Sequence, residues 1–111
     1  MQISGEIVID GESDTFTNAT AFIYLEDVGR ADAAARVLGR AMLTAVAHQQ
    51  GAESRVPFAV ESIDAPSTGD AVLRVHISLD GDENVLARDL VSTSHNSATE
   101  GGSLEIAVKT V

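Results

Sequence analysis

The chain has 111 residues, 17 acids against 7 bases, a formal net charge of −10 and no cysteine. That length makes one domain with one core, and the missing cysteines exclude disulfides, thiolate metal sites and cysteine nucleophiles. The negative charge repels phosphate backbones, so nucleic acid and anionic lipid are excluded as partners, and no apolar run is long enough for a membrane span.

At the N-terminus, Met1-Gln2-Ile3-Ser4-Gly5 has neither a basic n-region nor an apolar h-region, so the chain is expected to carry no signal peptide. Gln2 to Asp10 then alternates, with Ile3, Ile7 and Ile9 opposite Ser4, Glu6 and Asp10, which predicts a strand. Gly11-Glu12-Ser13-Asp14 reads as a turn. Ala19 to Glu26 predicts a second strand, with Ala21, Ile23 and Leu25 on one face and Thr20, Phe22, Tyr24 and Glu26 on the other.

Asp32 to Gln50 reads locally as a helix. Ala34, Val37, Leu38, Ala41, Met42 and Ala45 share one helical face, Asp32 is a possible N-cap, and Gly51 is a stop signal. A strand template fits less neatly, with Val37, Gly39, Ala41 and Leu43 against Leu38, Arg40, Met42 and Thr44. Arg55 to Ile63 is the next strand, grouping Val56, Phe58 and Val60. Pro57 has no N–H, which predicts a sheet edge. Asp64 to Asp70 is a loop. Ala71 to Asp80 gives the cleanest alternation, Leu73, Val75, Ile77 and Leu79 against Arg74, His76, Ser78 and Asp80. Asp80-Gly81-Asp82-Glu83-Asn84 is a turn, Asp89 to His95 a weaker strand, Gly101-Gly102 a break, and Leu104, Ile106 and Val108 mark the last strand.

Four stretches, in this order, carry a resemblance: Leu25-Glu26-Asp27-Val28-Gly29-Arg30-Ala31-Asp32-Ala33, Arg55-Val56-Pro57-Phe58, Arg74-Val75-His76-Ile77-Ser78-Leu79-Asp80-Gly81-Asp82 and Leu90-Val91-Ser92-Thr93. Together they resemble the YbaY/YscW-type lipoprotein domain, the family that includes type III secretion pilotins. The resemblance spans nearly the whole chain. It implies an all-β fold, a small two-sheet β-sandwich of about seven or eight strands, with Val37 to Val46 a strand. The alternative from local signals is an α+β fold with one helix around residues 33–48. The resemblance also implies a cell-envelope or periplasmic protein. Relatives are commonly anchored through an N-terminal Cys, which this chain lacks along with a signal sequence. In the pilotin branch a groove captures a segment of a secretin.

Asp80, Asp82 and Asn84 stand at alternate positions, as in calcium loops, but Val85 and Val91 occupy the places where an EF-hand needs Gly and a bidentate acid. A turn in which Asp-Gly supplies the backbone angles explains the same residues. His48, His76 and His95 have no ligand spacing and read as solvated surface side chains. Ser94 and His95 are adjacent on a strand and point to opposite faces, no G-x-S-x-G elbow exists, and Gly101-Gly102 has no phosphate-loop context. With only Phe16, Phe22, Tyr24 and Phe58 as aromatics, a stacking platform for sugars or bases is not expected.

The leading expectation is a non-enzymatic binding module without a cofactor. It captures a protein segment, such as a secretion or envelope component, on an edge strand or in a groove. The candidate edge is the strand carrying Arg55, Phe58 and Val60. Behind it stand a calcium-stabilised domain using Asp80, Asp82 and Asn84, and a hydrolase or carbohydrate-active domain needing a pocket lined by Asp82, Asp89 and His95.

Overall fold

Alternating aliphatic and polar residues become strands throughout the computed structural model, which describes residues 2–27, 36–62, 71–93, 96–97 and 103–111. The strands are β1 (Gln2–Ile9), β2 (Phe16–Asp27), β3 (Arg36–His48), β4 (Ser54–Glu61), β5 (Ala71–Ser78), β6 (Leu90–Ser92), β7 (Asn96–Ser97) and β8 (Ser103–Thr110). No helix occurs among the described residues. The 64–70 loop, the Gly101-Gly102 break and His95 lie outside them, as does the start of the expected helix.

Residues 36–48 form strand β3, as the resemblance implies, and the helix read from local signals alone does not form there. One expectation is corrected: the strands make one sheet, in the order β3-β2-β5-β6-β8-β1-β4 with short β7 beside β5, in place of two separate layers. This sheet curls into a nearly closed barrel. Its inward positions, among them Ile3, Ile7, Ile23, Leu25, Val75, Ile77 and Ile106, form a single core. β1 is central to one half, antiparallel to β4 and parallel to β8. β2 is central to the other, antiparallel to both β3 and β5.

Chain connectivity and burial explain why the sheet closes. A flat seven-strand sheet would leave one aliphatic face in water. Curling covers that face with itself and brings the two end strands, β3 and β4, together. At Gly39 they come so close that a Cβ would overlap the backbone carbonyl of Glu61, which is a position only glycine fits. No hydrogen-bonded ladder joins β3 to β4 among the described residues, so the junction is a packed seam.

β3 is irregular for a reason its partner shows. Its register against β2 shifts three times: between Phe16 and Ala19, between Ala19 and Ala21, and between Leu25 and Glu26. Such shifts insert an unpaired residue and bend the strand. Asn18 (φ 58°) and Ala45 (φ 56°) sit in the left-handed region at two of them. The bends let this long strand follow the barrel's curvature.

Candidate functional site

The seam is the first candidate. β4 ends the sheet, as Pro57 predicts, and Pro57 pairs with Glu6 of β1. A proline within a strand places its missing N–H on the unpaired side. By alternation, Arg55 and Ala59 direct their backbone groups the same way, toward the seam. The side chains of Phe58 and Val60 are in the core, 5% and 2% exposed. They hold the edge in place and offer no surface themselves. Arg55 is exposed and bridges three carboxylates: Glu105 (2.6 Å), Glu53 (3.0 Å) and Glu6 (3.5 Å). The hydrogen bonds it donates to Glu105 and Glu53 raise its already high pKa further. On the opposite wall, β3 exposes Val37 and Met42, the latter 57% accessible. The seam's other end is fastened by side chains, with His48 Nδ1 2.7 Å from Ser54 Oγ.

His48 corrects the surface reading of the histidines, because it is buried against Phe16. Its Nε2 has no hydrogen-bond partner among the described residues. It lines an open depression of about 390 Å³ with Thr15, Thr17, Gln49 and Ser54.

His76 is the second correction. It lies on the outer face of β5, as the alternation predicts, but is buried at 1% exposure. Its ring stacks on Phe22, also on the outer face, at 5.8 Å between centroids. The cover is the 79–89 connection. This segment leaves β5, and its Glu83 pairs with Arg40 of β3. Because β2 lies between β5 and β3, the segment crosses over Phe22. Asp89 anchors it from beneath. One carboxylate oxygen accepts from the Leu79 N–H (3.1 Å), the other from His76 Nε2 (2.8 Å) and the Leu86 N–H (3.0 Å). Burial pushes the Asp89 pKa up, but these three bonds outweigh it and hold the group below its ordinary value. Asp89 is therefore an acceptor-only carboxylate, and His76 Nε2 carries the proton between them.

The Asp80 turn engages its own oxygens. Asp80 Oδ1 accepts from Ser78 Oγ (3.1 Å) and the Asp82 N–H (3.2 Å). Asp82 Oδ1 accepts from the Asn84 N–H (2.9 Å) and Nδ2 (3.2 Å). Gly81 takes the left-handed φ, 86°, expected of Asp-Gly. Among the described residues no three His, Asp or Glu side chains are grouped to hold a metal. Asp82 is exposed in this turn and Asp89 is sealed beneath the connection, so these two carboxylates do not share an environment.

No signal in the sequence marks Asp89 or His48 as buried. The one usable hint is Phe22, a large aromatic on a face that otherwise reads polar.

No family model matches the chain, and no curated protein is similar to it. One solved structure is similar over essentially its whole length: an alternative pilotin from the type II secretion system of Vibrio cholerae. The TM-score is 0.74 at 20% identity, covering 100% of this chain and 96% of that one. The likeness shows that the two share a fold.

Proposed function

We propose that this chain is a non-enzymatic accessory module that holds a segment of a secretion-system protein. The segment seats along the outward edge of β4, between Arg55 and Glu61. The carrying observation is the full-length likeness to a secretion pilotin. The stretches 25–33 and 74–82 add the resemblance to the YbaY/YscW-type domain, which belongs to this reading. Two features favour the seam as the place. Its strands meet without a ladder among the described residues, so a partner strand displaces packing instead of backbone hydrogen bonds. Exposed Val37 and Met42 stand on its far wall.

The test places a photo-crosslinking side chain at Ala59, on the edge, or at Lys109, on β8 away from it, in cells that make the protein natively. A product between the Ala59 variant and a secretion-channel component, with none from the Lys109 variant, is expected. Equal labelling from both positions, or no product from Ala59, would rule the reading out.

A further inference from the structure

One end of the barrel holds a small cavity with two unmatched charges. It has a volume of about 170 Å³ and is lined by Asp14, Thr15, Phe16, Leu79, Arg88, Leu90 and Thr110. That is below the ~300 Å³ at which drug-sized pockets begin, and close to the space of five or six water molecules at about 30 Å³ each. Its depth is apolar, with Leu90 buried and Phe16 and Leu79 half-buried. Its rim is polar and carries one charge of each sign.

We propose that this cavity binds a small apolar zwitterion, a free α-amino acid of about leucine size. Arg88 takes the carboxylate, Asp14 takes the ammonium, and the side chain enters between Phe16, Leu79 and Leu90. The inference is independent of the seam and of any secretion partner.

Three observations carry it. First, Arg88 and Asp14 line the same cavity, yet neither forms an ion pair or a side-chain hydrogen bond among the described residues. In a chain with 17 acids and 7 bases, where Arg40, Arg55 and Arg74 all have carboxylate partners, an unpaired arginine is notable. One charge alone would suit a simple anion, but Asp14 repels such a ligand, and a zwitterion satisfies both. Second, Arg88 has φ 77°, a left-handed backbone that an arginine rarely adopts. The fold holds it there. The Asp89 N–H donates to the Leu86 carbonyl (3.1 Å) and the Val111 N–H to the Asp89 carbonyl (2.7 Å), while the Asp89 side chain is fixed by His76, Leu79 and Leu86. Third, the opposite rim is also fastened. Thr15 Oγ1 accepts from the Gln50 N–H (2.9 Å) and the Ser13 N–H donates to the Asp10 carbonyl (3.0 Å). Both charges therefore project from anchored loops, which is how small-molecule sites preorganise polar groups around an apolar pocket.

The test titrates the ¹⁵N-labelled full chain with L-leucine and follows the backbone amides. Saturable shifts at Thr15, Phe16, Leu79 and Leu90 at millimolar ligand are expected. 4-Methylpentanoate lacks the ammonium, 3-methylbutylamine lacks the carboxylate, and glycine lacks the side chain. Each should bind at least about tenfold more weakly, as should leucine to Arg88→Gln and to Asp14→Asn. Both replaced side chains are exposed, so the rest of each variant's spectrum should match the parent and report folding. No shift with leucine, shifts elsewhere than the barrel mouth, or either half-ligand binding as tightly as leucine would overturn the proposal.

Discussion

Asp89 does the most for its size. It is 1% exposed, and three donors converge on it. Removing one partner from such a site leaves the others buried and unmatched. Asp89→Asn keeps the shape but removes the charge, and is expected to lower stability by ~3 kcal/mol near neutral pH, read by urea denaturation. The sign of its pH dependence follows from the depressed folded-state pKa. The stabilisation is complete above the ordinary carboxyl value of 3.8 and is lost as pH falls through the lower folded value. The gap between parent and Asp89→Asn should therefore be wide at about pH 7 and narrower at about pH 3. A gap of constant size would show that the charge is not what matters. Charge pattern alone did not distinguish Asp89 from the chain's other acids. What sets it apart is the company of Leu79, Leu86 and His76, none of which can be paired with it from sequence spacing.

The elements that govern access are β3 and the 79–89 connection. β3 reads locally as a helix because Val37, Leu38, Ala41, Met42 and Ala45 fall on one helical face, yet in the strand Val37, Met42 and Ala45 are exposed. The residues that do turn inward, Leu38, Ala41, Leu43, Val46 and His48, stand at intervals of three and two, which hides the strand period. The cause is the register shifts opposite Ala19–Ala21 and Leu25–Glu26, each of which inverts the alternation. Gly39 then fixes how closely β3 meets β4. A methyl group there collides with the Glu61 carbonyl, so Gly39→Ala should part the seam. We expect a stability loss of about 1–3 kcal/mol, typical of overpacking, with faster amide exchange at Ala59 and Glu61 than at Ile7 or Val75. Uniform acceleration would mean global destabilisation without a seam that opens locally. The 79–89 connection is braced by hydrogen bonds that Asp80 and Asp82 accept from its own chain. Its melting temperature is accordingly expected to be the same with calcium as with EDTA, by differential scanning calorimetry. A rise with calcium would identify Asp80, Asp82 and Asn84 as ligands.

At the scale of the molecule, two-residue periodicity was enough to specify strands everywhere but β3, where the register shifts obscure it. It placed Ile3, Ile7, Ile23, Leu25, Leu73, Val75, Ile77, Ile106 and Val108 inward, where they are buried, because strand alternation is a local property of the backbone. It also put β4 at a sheet edge through Pro57, since a missing N–H is a fact about one residue. Whether the strands made two layers or one curled sheet was not written locally. That was decided by how far the sheet must bend before β3 meets β4, which depends on bulges and on Gly39 acting together. The same holds for the candidate sites. Arg88 and Asp14 are 74 positions apart in the chain, and their meeting at one barrel mouth, like the burial of Asp89 against His76, exists only once the closed sheet brings distant loops to the same end.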